Sequence, residues 1–174
     1  MKLKLPVDFG KISSMPGPKF VFGQVMMPHF PFNFGPNGEA VDHVDTKEKY
    51  LGQLIFTNNK IITMVDKILE SSSSPPIIII QSDHGPSTPF ARTPFNGDAQ
   101  FKIDRMRNLN AYLLPGKDGE MLYQTISPVN TFRVIFNLYF NTDYKLLEDK
   151  SYFSWNPKGS YLLEDIAPYA GSKS

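Results

Sequence analysis

At 174 residues, with 41% apolar and 20% charged side chains, the chain has the size and composition of one ordinary globular domain or of half a larger one. Fourteen Phe and eight Tyr argue against disorder over most of its length. A net charge of +1 with no basic stripe gives no reason to expect nucleic acid as a partner, and the absence of cysteine excludes disulfides, thiolate metal sites and a Cys nucleophile.

In chain order, Met1-Lys2-Leu3-Lys4-Leu5-Pro6 lacks the apolar centre of a signal peptide. No stretch reaches the roughly 20 apolar residues that span a bilayer, so a soluble chain without an export address is expected. Residues 1–18, rich in Pro, Gly and Ser, read as a linker. Lys19 to Met27, with Phe20, Val21, Phe22, Val25 and Met26, predicts a first buried strand, stopped by the prolines of Pro28-His29-Phe30-Pro31-Phe32. Asn33 to His43 reads as a loop.

Asp45-Thr46-Lys47-Glu48 has the spacing of an acidic capping box with Asp45 as N-cap. Behind it, Leu51, Leu54, Ile55, Ile61, Ile62, Val65, Ile68 and Leu69 recur at helical intervals, until Ser71 to Ser74 and Pro75-Pro76 end the helix. Ile77-Ile78-Ile79-Ile80-Gln81 then predicts a strand buried on both faces of a mostly parallel sheet, reached by a right-handed crossover. Residues 85–107 read as a long loop of the kind that lines sites. Leu109 to Leu114 reads as a third strand, and Ser127-Pro128 opens a helix with a capping hydroxyl and Pro at its first position. Val129, Phe132, Phe136 and Phe140 form that helix's apolar face, and from Tyr144 on a strand or extended tail packs on the body. The fold class expected is α/β, a mostly parallel sheet flanked by helices.

Ligands gather at the carboxyl ends of strands in open α/β sheets. Asp83 and His84, directly after the isoleucine strand, therefore read as an oxygen and a nitrogen ligand for a metal. The alternative is a polar turn in which Asp83 bonds local backbone N–H groups and Gly85 supplies a positive φ. His29 leaves the first strand as His84 leaves the second, which would bring both to one end of a parallel sheet; otherwise His29 simply packs among Phe30, Phe32 and Phe34. His43, in Asp42-His43-Val44-Asp45, is either a further ligand or part of a solvated turn. Arg92, Arg105 and Arg107 are candidates for holding an anionic group, or are solvated surface charges. Two protein ligands fall short of the roughly three or four that a catalytic metal normally takes. The hydroxyls of Ser82, Ser87, Thr88 and Thr93 lie in no Gly-x-Ser-x-Gly elbow, which argues against a serine triad.

Four segments, in order, carry a resemblance to a known family. They are Lys19-Phe20-Val21-Phe22 leading to Pro28-His29-Phe30-Pro31-Phe32, then Ile77 to Gly85, then Asn108-Leu109-Asn110-Ala111-Tyr112-Leu113-Leu114-Pro115, then Ser127-Pro128-Val129-Asn130-Thr131-Phe132-Arg133. Over roughly residues 19–153 the chain resembles the carboxyl-terminal half of the sulfatase-like hydrolase/transferase domain of the alkaline phosphatase superfamily, which includes lipoteichoic acid synthases and phosphoethanolamine transferases. The resemblance implies a linker at 1–18, a half-domain at 19–155 and a tail at 156–174. It also implies that Asp83 and His84 ligate a catalytic divalent metal and that His29 lies beside the transferred phosphate or sulfate. An imidazole ligand favours Mn or Zn over Mg or Ca.

The family's nucleophile (Thr, Ser or formylglycine) and its remaining ligands come from an amino-terminal half, where this chain has only a short Pro/Gly-rich stretch. The expectation is therefore part of a metal-dependent hydrolase or transferase of phosphate or sulfate esters, inactive alone and completed by a partner half or by self-association. A non-catalytic anion-binding module, or a structural remnant of the fold, is the alternative. Family members are mostly membrane-anchored with the domain outside the cytoplasm, whereas no anchor is evident in this chain, so its compartment stays open.

Overall fold

The computed structural model describes residues 9–86, 99–117, 119–154 and 163–166. These fall into two units, one of residues up to Pro76 and one of residues from Ile77 onward. A strand forms only where a second strand answers its N–H and C=O groups. In the first unit Lys19 to Met26 pairs with no strand among the described residues, and Phe20 and Phe22 are 80% and 81% exposed. The expected first strand is therefore absent.

The first unit is organised instead by α1 (Phe9–Ser13) and α2 (Lys47–Ser71), which pack together with the Ser13 and Ser71 hydroxyls 2.5 Å apart. Residues 9–13 lie within the stretch read as a linker. Thr46, not Asp45, caps α2: its Oγ1 accepts from the Lys49 amide at 3.3 Å. The face that α2 buries carries Gly52, Gln53, Phe56 and Thr57, while Leu51, Ile55, Ile62 and Leu69 point outward.

Gln53 is the reason. Its Oε1 accepts from the Asn33 and Phe34 amides at 2.7 and 3.3 Å, and its Nε2 donates to the His29 carbonyl at 3.1 Å. One buried carboxamide thus satisfies three backbone groups of the segment that lies over the helix. Phe32 and Phe34 fill the space beside it, Phe34 stacking on Phe56 with ring centroids 5.1 Å apart. The chain reverses between Phe34 and Ala40, which form an antiparallel bridge. Gly38 is required in that reversal, because its φ is +84° and a Cβ there would sit 2.6 Å from the Phe56 ring.

In the second unit β1 (Ile78–Gln81) pairs antiparallel with β2 (Asn110–Leu113), Ile78 opposite Leu113 and Gln81 opposite Asn110. A second two-stranded antiparallel sheet joins β3 (Tyr152–Phe153) to β4 (Glu164–Asp165). These findings overturn the expected fold class. Among the described residues there is no large parallel sheet and no crossover unit, so the fold is not alkaline-phosphatase-like. The isoleucine run is half-buried, not enclosed on both faces. A short apolar run has the same periodicity in either kind of sheet, so its pattern does not select the direction of its partner.

Part of the expected long loop, Ala99–Met106, is a helix, α3. Its Lys102 is buried and donates to both carboxylate oxygens of Glu164, at 2.7 and 2.5 Å, and Phe101 meets Phe153 edge to face. The last helix, α4 (Pro128–Tyr139), starts at Pro128 as expected. Its buried residues are Asn130, Thr131, Val134 and Ile135, and the expected apolar face of Val129, Phe132, Phe136 and Phe140 is exposed. Thr131 Oγ1 bonds the Tyr112 hydroxyl at 2.8 Å and accepts from Gln81 Nε2 at 3.4 Å, which ties α4 to β1 and β2.

The Ser127 hydroxyl does not cap α4; it donates to Asp149 Oδ1 at 2.5 Å. The same oxygen accepts from the Ser127 amide and Asn130 Nδ2, and Oδ2 accepts from the Tyr123 hydroxyl. Burial works to raise the Asp149 carboxyl, but these hydrogen bonds outweigh it and hold the group below its ordinary value. No helix among the described residues is long and apolar enough to cross a membrane.

Two outcomes follow from these contacts. Gln53→Leu strands the Asn33 and Phe34 amides in the interior and should lower unfolding free energy by about 2–3 kcal/mol in urea denaturation. Asp149→Ala should cost about 2 kcal/mol at neutral pH. Because the folded carboxyl titrates below the ordinary value of 3.8, the stability it contributes is complete above that value and is lost as pH falls through the lowered one. The gap between wild type and Asp149→Ala should therefore close in denaturation curves taken at progressively more acid pH.

Candidate functional site

The candidate residues divide between the two units. His29 belongs to the first, where Gln53 holds its carbonyl and its imidazole is exposed. Its Nδ1 donates to the Phe30 carbonyl. The ring is not packed among Phe30, Phe32 and Phe34; of these, Phe32 and Phe34 are buried and His29 is not. His43 is exposed as well. Beside it, Asp42 accepts from Lys49 Nζ at 2.5 Å, and that hydrogen bond and charge hold its carboxyl below the usual range. With no parallel sheet, the argument that carries His29 and His84 to one sheet end falls away.

Asp83, His84 and Gly85 form a turn in the second unit directly after β1. Pairing continues one step past the strand, since Ser82 donates its amide to the Leu109 carbonyl and accepts the Leu109 amide on its hydroxyl. Gly85 is buried against the end of α3, where a Cβ would lie 1.9 Å from the Asp104 carbonyl oxygen and 2.8 Å from that of Arg107. Its φ is not positive. Glycine is needed here for close approach and not, as the turn reading has it, for a left-handed backbone.

Gly85 and Arg105 bond each other twice. The Gly85 amide donates to the Arg105 carbonyl at 2.7 Å, and Arg105 Nη1 donates to the Gly85 carbonyl at 3.2 Å. Arg105 Nη1 also stands 2.7 Å from His84 Nδ1. Partial burial draws the guanidinium below its ordinary value, and the Asp83 charge opposes that shift. Arg107 is exposed and 3.9 Å from Asp104, whereas Arg92, Ser87, Thr88 and Thr93 lie outside the described residues.

Asp83 Oδ2 and His84 Nε2 are 3.4 Å apart, with the Asp83 side chain 86% exposed. Two ligands of one tetrahedral Zn site with bonds of 2.0–2.1 Å are separated by about 3.3–3.4 Å. The pair thus fits one edge of such a site. A metal-binding histidine commonly donates its second ring nitrogen to a backbone carbonyl, and the Gly85 oxygen lies 2.7 Å from Nδ1. Among the described residues no group of three or more His, Cys, Asp or Glu gathers to complete a metal shell.

Sequence reasoning named Arg105 only as one of three possible anion holders. It missed Gln53 and Asp149, which show in the pattern only as isolated polar residues. No family model, curated protein or solved structure matches the chain.

Gly85→Ala should push the turn away from α3 at a cost of about 1–3 kcal/mol, the range for overfilling a packed site. Thermal unfolding measures the loss, and a displaced His84 imidazole resonance in NMR would locate it.

Proposed function

We propose that the chain supplies the Asp83–His84 pair as metal ligands to a metal-dependent hydrolase or transferase acting on phosphate or sulfate esters. The observation that carries this reading is the 3.4 Å separation of Oδ2 and Nε2, the edge length of a tetrahedral shell, together with a carbonyl placed for Nδ1. The resemblance of the four motif segments supports it; the fold does not enter. Zn or Mn suits an imidazole–carboxylate pair better than Mg or Ca. When bound, the metal supplies Lewis-acid polarisation of a phosphoryl or sulfuryl oxygen.

The chain's own residues orient and bind. Asp83 and His84 would hold the cation, and Arg105 offers N–H donors to an oxyanion. Among the described residues no third His, Cys, Asp or Glu gathers beside the pair, and a partner half or a second copy is the source proposed for further ligands and a nucleophile. A structural reading is favoured by two observations: Asp83 Oδ1 accepts from the His84 amide at 3.1 Å, as a polar turn expects, and the reciprocal Gly85–Arg105 hydrogen bonds make the turn a packing element in its own right.

Calorimetric titration with Zn2+ and Mn2+ separates the two. The metal reading expects one site on the wild type, weakened at least about tenfold in both Asp83→Ala and His84→Ala. Equal affinity in all three proteins, or none in the wild type, leaves only the structural reading.

A further inference from the structure

In the second unit the segment after α4 runs back along that helix, held mainly by its backbone. Asn137 bonds Tyr144 twice, its Oδ1 accepting the Tyr144 amide and its Nδ2 donating to the Tyr144 carbonyl, each at 2.8 Å. Asn130 treats Leu147 the same way, at 2.9 and 2.8 Å, and between them Arg133 donates to the Lys145 carbonyl at 3.0 Å. The spacings match: the helix rises about 10.5 Å from Asn130 to Asn137, and an extended chain covers about 10 Å from Tyr144 to Leu147. The side chains of Tyr144, Leu146 and Leu147 stay exposed, so α4 recognises main-chain groups here; only Asp149, on Ser127 and Asn130, is held by its side chain. A seat that reads backbone accepts the segment equally from its own chain or from a second copy.

We propose that two copies of the chain exchange the arm that begins at Thr142, so that each α4 seats the Tyr144–Leu147 segment of the other copy. The bonds of Lys102 to Glu164 and the contact of Phe101 with Phe153 are remade between copies in the same way. Contacts that are identical in the closed and exchanged forms cancel, and what remains is the hinge, any newly covered surface and the entropy of association. The first two favour exchange. Residues 140–143 make the reversal after α4, and Asn141 among them has φ +54°, a left-handed backbone taken without glycine. Straightening that hinge returns Asn141 to an ordinary φ. In an exchanged pair the two hinges lie side by side, and Phe140 immediately precedes each. Phe132, Phe136 and Phe140 stack along α4 and are exposed, so the second copy supplies the cover that this aromatic face lacks in the single chain. The exchange does not depend on the metal reading of Asp83 and His84.

Light scattering on the full chain across a concentration series should show a monomer that gives way to a dimer. In a dimer refolded from a mixture of 15N-labelled and unlabelled protein, isotope-filtered NMR should show the Asn137 side-chain amide of the labelled copy against Tyr144 of the unlabelled one. Asn141→Gly lets both hinges take the closed form without strain and should raise the Kd of the dimer about tenfold. A chain that stays monomeric at every concentration overturns the exchange. So does a dimer in which every Asn137–Tyr144 contact lies within one copy, which marks a surface dimer instead. Those two results come from the wild type and need no variant to fold. A Kd unmoved by Asn141→Gly, in a dimer that does exchange its arms, overturns the hinge as the driving force.

Discussion

Buried carboxamides must find partners for their donors and acceptors, and in this chain that requirement decides which way each long helix faces. Gln53 does so in the first unit, bonding three backbone groups of the His29–Phe34 segment. Asn130 does so in the second: its Nδ2 donates to the Leu147 carbonyl, the Tyr123 hydroxyl and Asp149, and its Oδ1 accepts from the Leu147 amide. A segment laid over a helix brings backbone groups that apolar side chains cannot answer. The helix therefore turns inward the face that can, and the more apolar stripe is left outside.

The consequence for the site is rigidity from outside the motif. Asp83 and His84 follow a two-stranded ribbon that would be weak by itself. Their turn is held by the missing Cβ of Gly85 and by the two bonds to Arg105. Helix α3, which carries Arg105, is held in turn by the half-exposed Glu164 carboxylate on the buried Lys102 ammonium. A residue eighty positions from the motif thus supports the geometry of His84, and no local pattern near Asp-His-Gly could reveal it.

Local structure was largely legible. The serine–proline start of α4, the extent of α2 and the two strands β1 and β2 all lie close to where periodicity and breakers put them. These depend on groups a few residues apart, so short windows contain the information. At the site, the adjacency of Asp83 and His84 and the need for glycine at position 85 could also be read, although the reason assigned to that glycine was the wrong one.

Local pattern set the bounds of α2, β1, β2 and α4, because capping, proline and apolar spacing act within a turn or two of the chain. The packed structure decided that Lys19–Met26 pairs with no strand among the described residues, that β1 runs antiparallel to its neighbour, and that Phe132, Phe136 and Phe140 face outward. Each of those outcomes turns on which distant backbone or carboxylate group arrives to satisfy a hydrogen bond. A residue's neighbours in sequence carry no record of that arrival.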